Sequence, residues 1–68
     1  MKVIRLDGES HSDERHEYPE ALIVTKGRVN LIVDGAAVAV NEGGMFVVPE
    51  GVLHSVRPGS DGTLVIVD

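Results

Sequence analysis

The sequence predicts an all-β fold, and three observations carry that prediction. No segment keeps a helical apolar period over three turns. Two dipeptides, Lys26-Gly27 and Asp34-Gly35, stand between alternating apolar residues, as tight hairpin turns do. A third cluster, Pro58-Gly59-Ser60-Asp61-Gly62, is dense in turn-forming residues. Short strands at this spacing, about seven to eight of them, suit a sandwich or barrel.

In chain order, Lys2 to Asp7 reads as a strand, closed by the turn pair Asp7-Gly8. Residues Glu9 to Glu17 are polar and contain His11 and His16. They read as a loop leading into an edge strand, with Asp13-Glu14-Arg15 as a solvated charge cluster. If both glycine dipeptides are two-residue turns, Val33 pairs with Ala36, Leu31 with Val38 and Val29 with Val40. The first turn then pairs Val24 with Val29, Leu22 with Leu31 and Glu20 with Val33. Side chains alternate along a strand, so Glu20, Leu22, Val24, Val29, Leu31, Val33 and Val38 share one face. That face is apolar except for Glu20, and a bulge or longer loop at Lys26-Gly27 is expected to turn Glu20 outward. The opposite face mixes Ala21, Ile23, Ile32, Ala37 and Ala39 with Thr25, Arg28 and Asn30.

Met45 to Val48 is a short apolar run between Gly43-Gly44 and Pro49, hence a strand that proline ends. Gly51 allows a bend directly before Val52-Leu53-His54. Thr63 to Val67 is apolar on both faces, the mark of a central or interface strand.

The chain has 68 residues, a formal net charge of -5 and no cysteine. A single domain over residues 1–68 follows, one that buries only about 60% of its unfolded surface. Disulfides and thiolate metal sites are excluded. With one Phe, one Tyr and no Trp, the core has to be Val, Leu and Ile. Metal binding or self-association is the available reinforcement, and the two-sided apolar strands point to a homodimer that buries Ile23, Ile32 and their neighbours. No basic patch or aromatic platform exists, so nucleic acid is not an expected partner. The longest apolar run, Ala36 to Val40, is far too short to span a bilayer, and the N-terminus lacks a signal-like segment. A cytoplasmic protein without a membrane partner is the expectation.

Glu20 is the first candidate for chemistry. A carboxylate on an apolar face is costly unless it is paired, hydrogen-bonded or bound to a metal. It is either a ligand or acid/base group, or a strand-end residue that reaches water or pairs with Arg15 or Arg57. His54, held beyond the Pro49-Glu50-Gly51 turn, is either a ligand or a packed turn residue. His16 is either a ligand or an exposed strand residue. Tyr18 has the same parity as His16 if the edge strand continues, and would cap the barrel mouth or donate to a bound anion.

Two spacings resemble motifs of the cupin superfamily. The second cupin motif is glycine, five residues, proline, one residue, glycine, two residues and histidine. Gly43, Pro49, Gly51 and His54 fit each step, while Pro58 stands where an asparagine would follow. The first motif is histidine, one residue, histidine, three or four residues, glutamate, six residues and glycine. His16, Glu20 and Gly27 fit it, and Glu14 stands in place of the first histidine. The resemblance implies a small jelly-roll-like β-barrel with His16, Glu20 and His54 as metal ligands and Glu14 as a fourth. A two-histidine, carboxylate set suits Fe(II), Mn(II), Ni(II) or Zn(II), and oxygen-rich versions lean towards the harder ions. His11 could supply a nitrogen from the loop. The function expected is binding of a divalent metal, a small molecule or both in the barrel mouth. The alternatives are a metal-dependent oxygenase or isomerase acting on a small polar metabolite, and a structural homodimer with a relic site.

Overall fold

One long strand organises the molecule. The computed structural model describes all 68 residues and contains seven antiparallel strands with no helix. They are β1 (Lys2–Asp7), β2 (His11–Glu14), β3 (Glu20–Val33), β4 (Ala36–Asn41), β5 (Met45–Val48), β6 (His54–Val56) and β7 (Asp61–Val67). The first half of β3 pairs with β5 and β7, and β1 lies beyond β7. The second half pairs with β4 and β6, and β2 lies beyond β6. The sheet therefore curls about the middle of β3 into a half-barrel, the all-β fold that the sequence predicts in the jelly-roll-like form that the motif resemblance implies. No helix is long and apolar enough to cross a membrane.

The Asp34-Gly35 hairpin forms in the predicted register. Val29 faces Val40, Leu31 faces Val38, and Val33 faces Ala36. Asp34 and Gly35 both take positive φ, 49° and 81°. That is the backbone of a type I′ turn, whose twist matches the strands it joins.

The Lys26-Gly27 hairpin does not form, so its three predicted pairs are absent. β3 runs straight through this dipeptide. Val24 lies opposite Leu64, Leu22 lies opposite Phe46 on one side and Ile66 on the other, and Glu20 lies opposite Val48. Two physical reasons emerge. Asp34 is the only residue other than glycine with positive φ, so Lys26 does not adopt the left-handed backbone that such a turn demands of both central residues. Gly27 serves a different purpose. It faces Gly62 across β3 and β7, and a Cβ on Gly27 would overlap the Asp61 carbonyl oxygen while one on Gly62 would overlap that of Lys26.

The predicted buried face nonetheless exists. Between Val24↔Leu64 and Lys26↔Thr63 the register slips by one residue, leaving Thr25 as an extra residue on β3. This bulge switches the inward positions from even to odd numbers. Glu20, Leu22 and Val24 are buried before it, and Val29, Leu31 and Val33 after it. Glu20 thus stays inside, contrary to the expectation that a bulge here turns it outward. A bulge in an unreversed strand and a two-residue turn both change the parity, so they bury the same residues. Val38 is half-buried against this core.

The core is aliphatic throughout. Leu6, Leu22, Val24, Val29, Leu31, Val33, Val40, Val48 and Leu64 are buried, with Phe46 packed at their margin. β7 lies between β1 and β3, the central placement its two-sided apolar pattern predicts. The polar segment after Gly8 supplies β2, whose four residues are all exposed and which pairs only with β6.

Candidate functional site

Three local structures converge at one end of the half-barrel. Glu20 opens β3, and its register partner Val48 is followed directly by Pro49, which ends β5. His54 opens β6 and lies between Val33 of β3 and Glu14 of β2. His16 follows β2, and its carbonyl accepts the Gly51 amide at 2.7 Å. That bond stitches the segment carrying His16 to the turn that presents His54. The Asp34 amide donates to the Leu53 carbonyl at 2.8 Å, which fixes the approach to His54 from the other side.

The side chains meet accordingly. Glu20 is 3% exposed, and its Oε1 lies 3.2 Å from His16 Nε2 and 3.3 Å from His54 Nε2. His16 Nε2 also lies 3.0 Å from Glu14 Oε2. Ligand atoms of Glu14, His16 and His54 all lie within 4.8 Å of one another. Neither Arg15 nor Arg57 pairs with Glu20; the ionisable groups beside it are the two imidazoles.

The tautomer of His54 follows from its other nitrogen. Nδ1 sits 3.0 Å from the Val52 carbonyl oxygen. A carbonyl only accepts, so Nδ1 carries the hydrogen. A neutral His54 then turns the Nε2 lone pair towards the Glu20 carboxylate. Two lone pairs at that distance repel, so a proton or a cation belongs between them. At His16, one Nε2 serves two carboxylate oxygens, and a single hydrogen cannot be well aligned to both.

Three pairs in this donor set have the spacing of atoms that share a divalent ion, while the group whose ligand atoms all lie within 4.8 Å of one another is Glu14, His16 and His54. Atoms that share an ion at about 2.1 Å sit roughly 3.0 Å apart at right angles and roughly 3.4 Å apart at tetrahedral angles. The contacts of 3.0, 3.2 and 3.3 Å fall in that range. The backbone bond at His54 Nδ1 is the outer-shell partner that orients a ligating imidazole.

Tyr18 stacks on His16 with ring centroids 5.2 Å apart and planes 24° apart, and is 42% exposed. It covers His16 from the solvent side. His11 lies on β2, away from these ligand atoms, and lines a cavity of about 70 Å³ between the halves of the barrel. Glu14, Glu20 and His54 border that cavity, and Ile4, Leu6, Leu64 and Ile66 form much of its apolar wall. The part of β1 and β7 in this wall was not visible in the sequence, because alternation marks an inward face without saying what it surrounds. The only usable signal is the inward pair Ile4 and Leu6 on a first strand that lies beside the last.

Comparison with known proteins agrees with this architecture. A family model described as "Cupin domain" matches residues 3–68. Among solved structures, the cupin domain of Cnp3 from Schizosaccharomyces pombe superimposes with a TM-score of 0.79 at 14% identity. The match covers 94% of this chain and 48% of that one, so the chain spans about half the length of that structure. No curated protein matches.

Proposed function

We propose, from the premise that this chain belongs to the cupin family, that its barrel mouth binds a divalent metal ion through His16, Glu20 and His54, with Glu14 as a fourth ligand. The observation that carries this reading is the buried Glu20 carboxylate set between two imidazole Nε2 atoms, one of whose rings is pinned by its Nδ1 hydrogen. Two nitrogens and two carboxylates favour Mn(II) or Fe(II) over softer ions. A bound ion would supply Lewis acidity at the barrel mouth. The chain's own residues do the rest. Val52 orients His54, Tyr18 shields His16 from water, and the aliphatic wall keeps the inner side of the site dry.

The cavity of about 70 Å³ favours a binding module over an enzyme for metabolites of ordinary size, since pockets for drug-sized ligands run to about 300–1,000 Å³. An ion with its waters, or a very small anion completing its shell, fits that space.

The test is metal uptake by untagged protein. Titration calorimetry at neutral pH with Mn(II), Fe(II), Ni(II) and Zn(II) is expected to give one site per chain. His54→Ala is expected to abolish it while the circular dichroism spectrum is retained. Coordination requires deprotonated ligands, so binding releases protons and affinity falls as acid protonates the imidazoles. Ions at 100 times Kd would add about 2.7 kcal/mol of stability, read as a rise in Tm that His54→Ala lacks. Glu14→His restores the missing motif histidine and is expected to shift preference towards Ni(II) and Zn(II). No uptake of any of the four ions by the wild type would reject the site.

A further inference from the structure

Three Asp-Gly dipeptides occur in the chain, and the fold treats them differently. At Asp7-Gly8 the Gly8 amide donates to the Ser60 carbonyl at 2.8 Å, the Gly8 carbonyl accepts the Gly59 amide at 3.0 Å, and Asp7 Oδ1 accepts the Glu9 amide at 3.2 Å. Asp61-Gly62 lies inside β7, with Asp61 opposite Asp7 of β1 and Arg28 of β3, and Gly62 opposite Leu6 and Gly27. Turning either peptide breaks bonds that hold it to a neighbouring segment. Asp34-Gly35 lies outside every strand, and both residues are exposed. The Gly35 amide donates to no acceptor in the chain, and a Cβ at Gly35 would meet nothing within 4 Å.

We propose that Asp34-Gly35 is a modification site, the place where this protein converts aspartate to isoaspartate. Glycine has no side chain to shield its amide nitrogen. The Gly35 nitrogen attacks Cγ of the protonated Asp34 carboxyl. The N–Cγ bond forms, the Cγ–OH bond breaks, and the amide proton leaves with that hydroxyl as water. A second water then opens the succinimide ring. Attack at Cγ returns aspartate. Attack at the main-chain carbonyl carbon leaves the chain running through Cγ, with the α-carboxylate as the new side group. No atom is gained or lost overall, and nothing is oxidised or reduced. Ring closure needs the Asp34 carboxyl to swing behind its own peptide, so the turn must open. A hairpin tip opens locally at lower free energy than a strand held on both sides.

The product breaks the turn that made it. Isoaspartate adds one backbone carbon between Val33 and Ala36, which face each other across a two-residue turn. It also displaces the Asp34 amide, whose bond to the Leu53 carbonyl at 2.8 Å fixes the segment before His54. Ageing at an exposed tip is thereby transmitted to the barrel mouth, whether or not His54 holds a metal.

The folded protein is incubated at neutral pH in water enriched in heavy oxygen. Each ring opening leaves one labelled oxygen at the residue that closed the ring, and fragment mass spectrometry locates it. Label at Asp34 is expected to exceed that at Asp7 and Asp61 at least about tenfold, while in concentrated urea the three dipeptides should take it up at similar rates. Asp34→Asn keeps a turn-forming pair and is expected to reach the same product faster by releasing ammonia, since a carboxamide needs no prior protonation. The isoaspartyl fraction, separated by ion exchange, should show a lower Tm and faster hydrogen exchange at the residue 34 amide than fresh protein. The proposal fails if the folded protein labels Asp7 or Asp61 as fast as Asp34, or if Asp34 stays unlabelled while the urea-unfolded chain labels there. The transmission to the barrel mouth fails if the separated fraction keeps the slow exchange of the fresh Asp34 amide.

Discussion

Lys26-Gly27 and Asp34-Gly35 stand eight positions apart on the same apolar background, and one crosses the barrel while the other reverses the chain. At Asp34-Gly35 the outcome is decided locally. Aspartate tolerates the left-handed backbone, glycine favours it, and the two flanking strands need nothing else to find each other. At Lys26-Gly27 the outcome is decided by a strand more distant in sequence. Gly27 is required because Gly62 of β7 approaches it backbone to backbone. The same residue type is thus a turn former in one place and a clearance in the other, and the residue before it tells them apart.

Substitutions at the two places test that distinction. The largest effect is expected from Gly27→Ala or Gly62→Ala, each of which drives a methyl group into a facing carbonyl. Overpacking and left-handed strain together would cost about 3 kcal/mol or more, which is most of what so small a core supplies. Thermal melts should show these variants largely unfolded. A smaller loss is expected at Ser60, which ties the turn before β7 to β3 beyond the crossing. Its buried hydroxyl accepts the Asn30 amide at 2.9 Å and donates to the Arg57 carbonyl at 2.9 Å. Ser60→Ala leaves that amide without a partner and should cost about 1–3 kcal/mol by urea denaturation.

Gly35→Ala comes next. A Cβ at that position would meet nothing within 4 Å, so only the positive φ is penalised, at about 1 kcal/mol. The smallest effect is expected from Lys26→Asp, which writes a second Asp-Gly into the chain. If the Gly62 approach governs the crossing, stability changes by less than about 0.5 kcal/mol. Amide exchange should then still show β3 paired with β7 at Ile23, which lies opposite Val65. Loss of that protection would mean the dipeptide alone decides whether the chain reverses.

The sequence made the site legible in proportion to how local its parts are. Met45 to Val48, the proline stop and the histidine after Gly51 were readable because turn chemistry fixes each within a few residues. Glu20 was readable through the parity of an apolar face, even though the assumed hairpin is absent, because the Thr25 bulge produces the same parity. The meeting of His16 with His54 was legible only through the spacing of the cupin motifs, since a bond from Gly51 to His16 joins segments 35 residues apart. Ser60 left no signal and the cavity wall from β1 left only the pair Ile4 and Leu6, because a small turn serine and an alternating strand look alike wherever they pack.

The pairing of β1 with β7 has a topological consequence. The first strand runs beside the last, with Lys2 opposite Ile66 and the Met1 ammonium 3.4 Å from the Asp68 carboxylate. The points where a polypeptide comes into this unit and leaves it are therefore neighbours. A short peptide could join them and new ends could be opened at the exposed Asp34-Gly35 loop, giving a circularly permuted chain with every strand pair kept. For the same reason the unit can sit within a longer polypeptide without pulling apart the segments on either side.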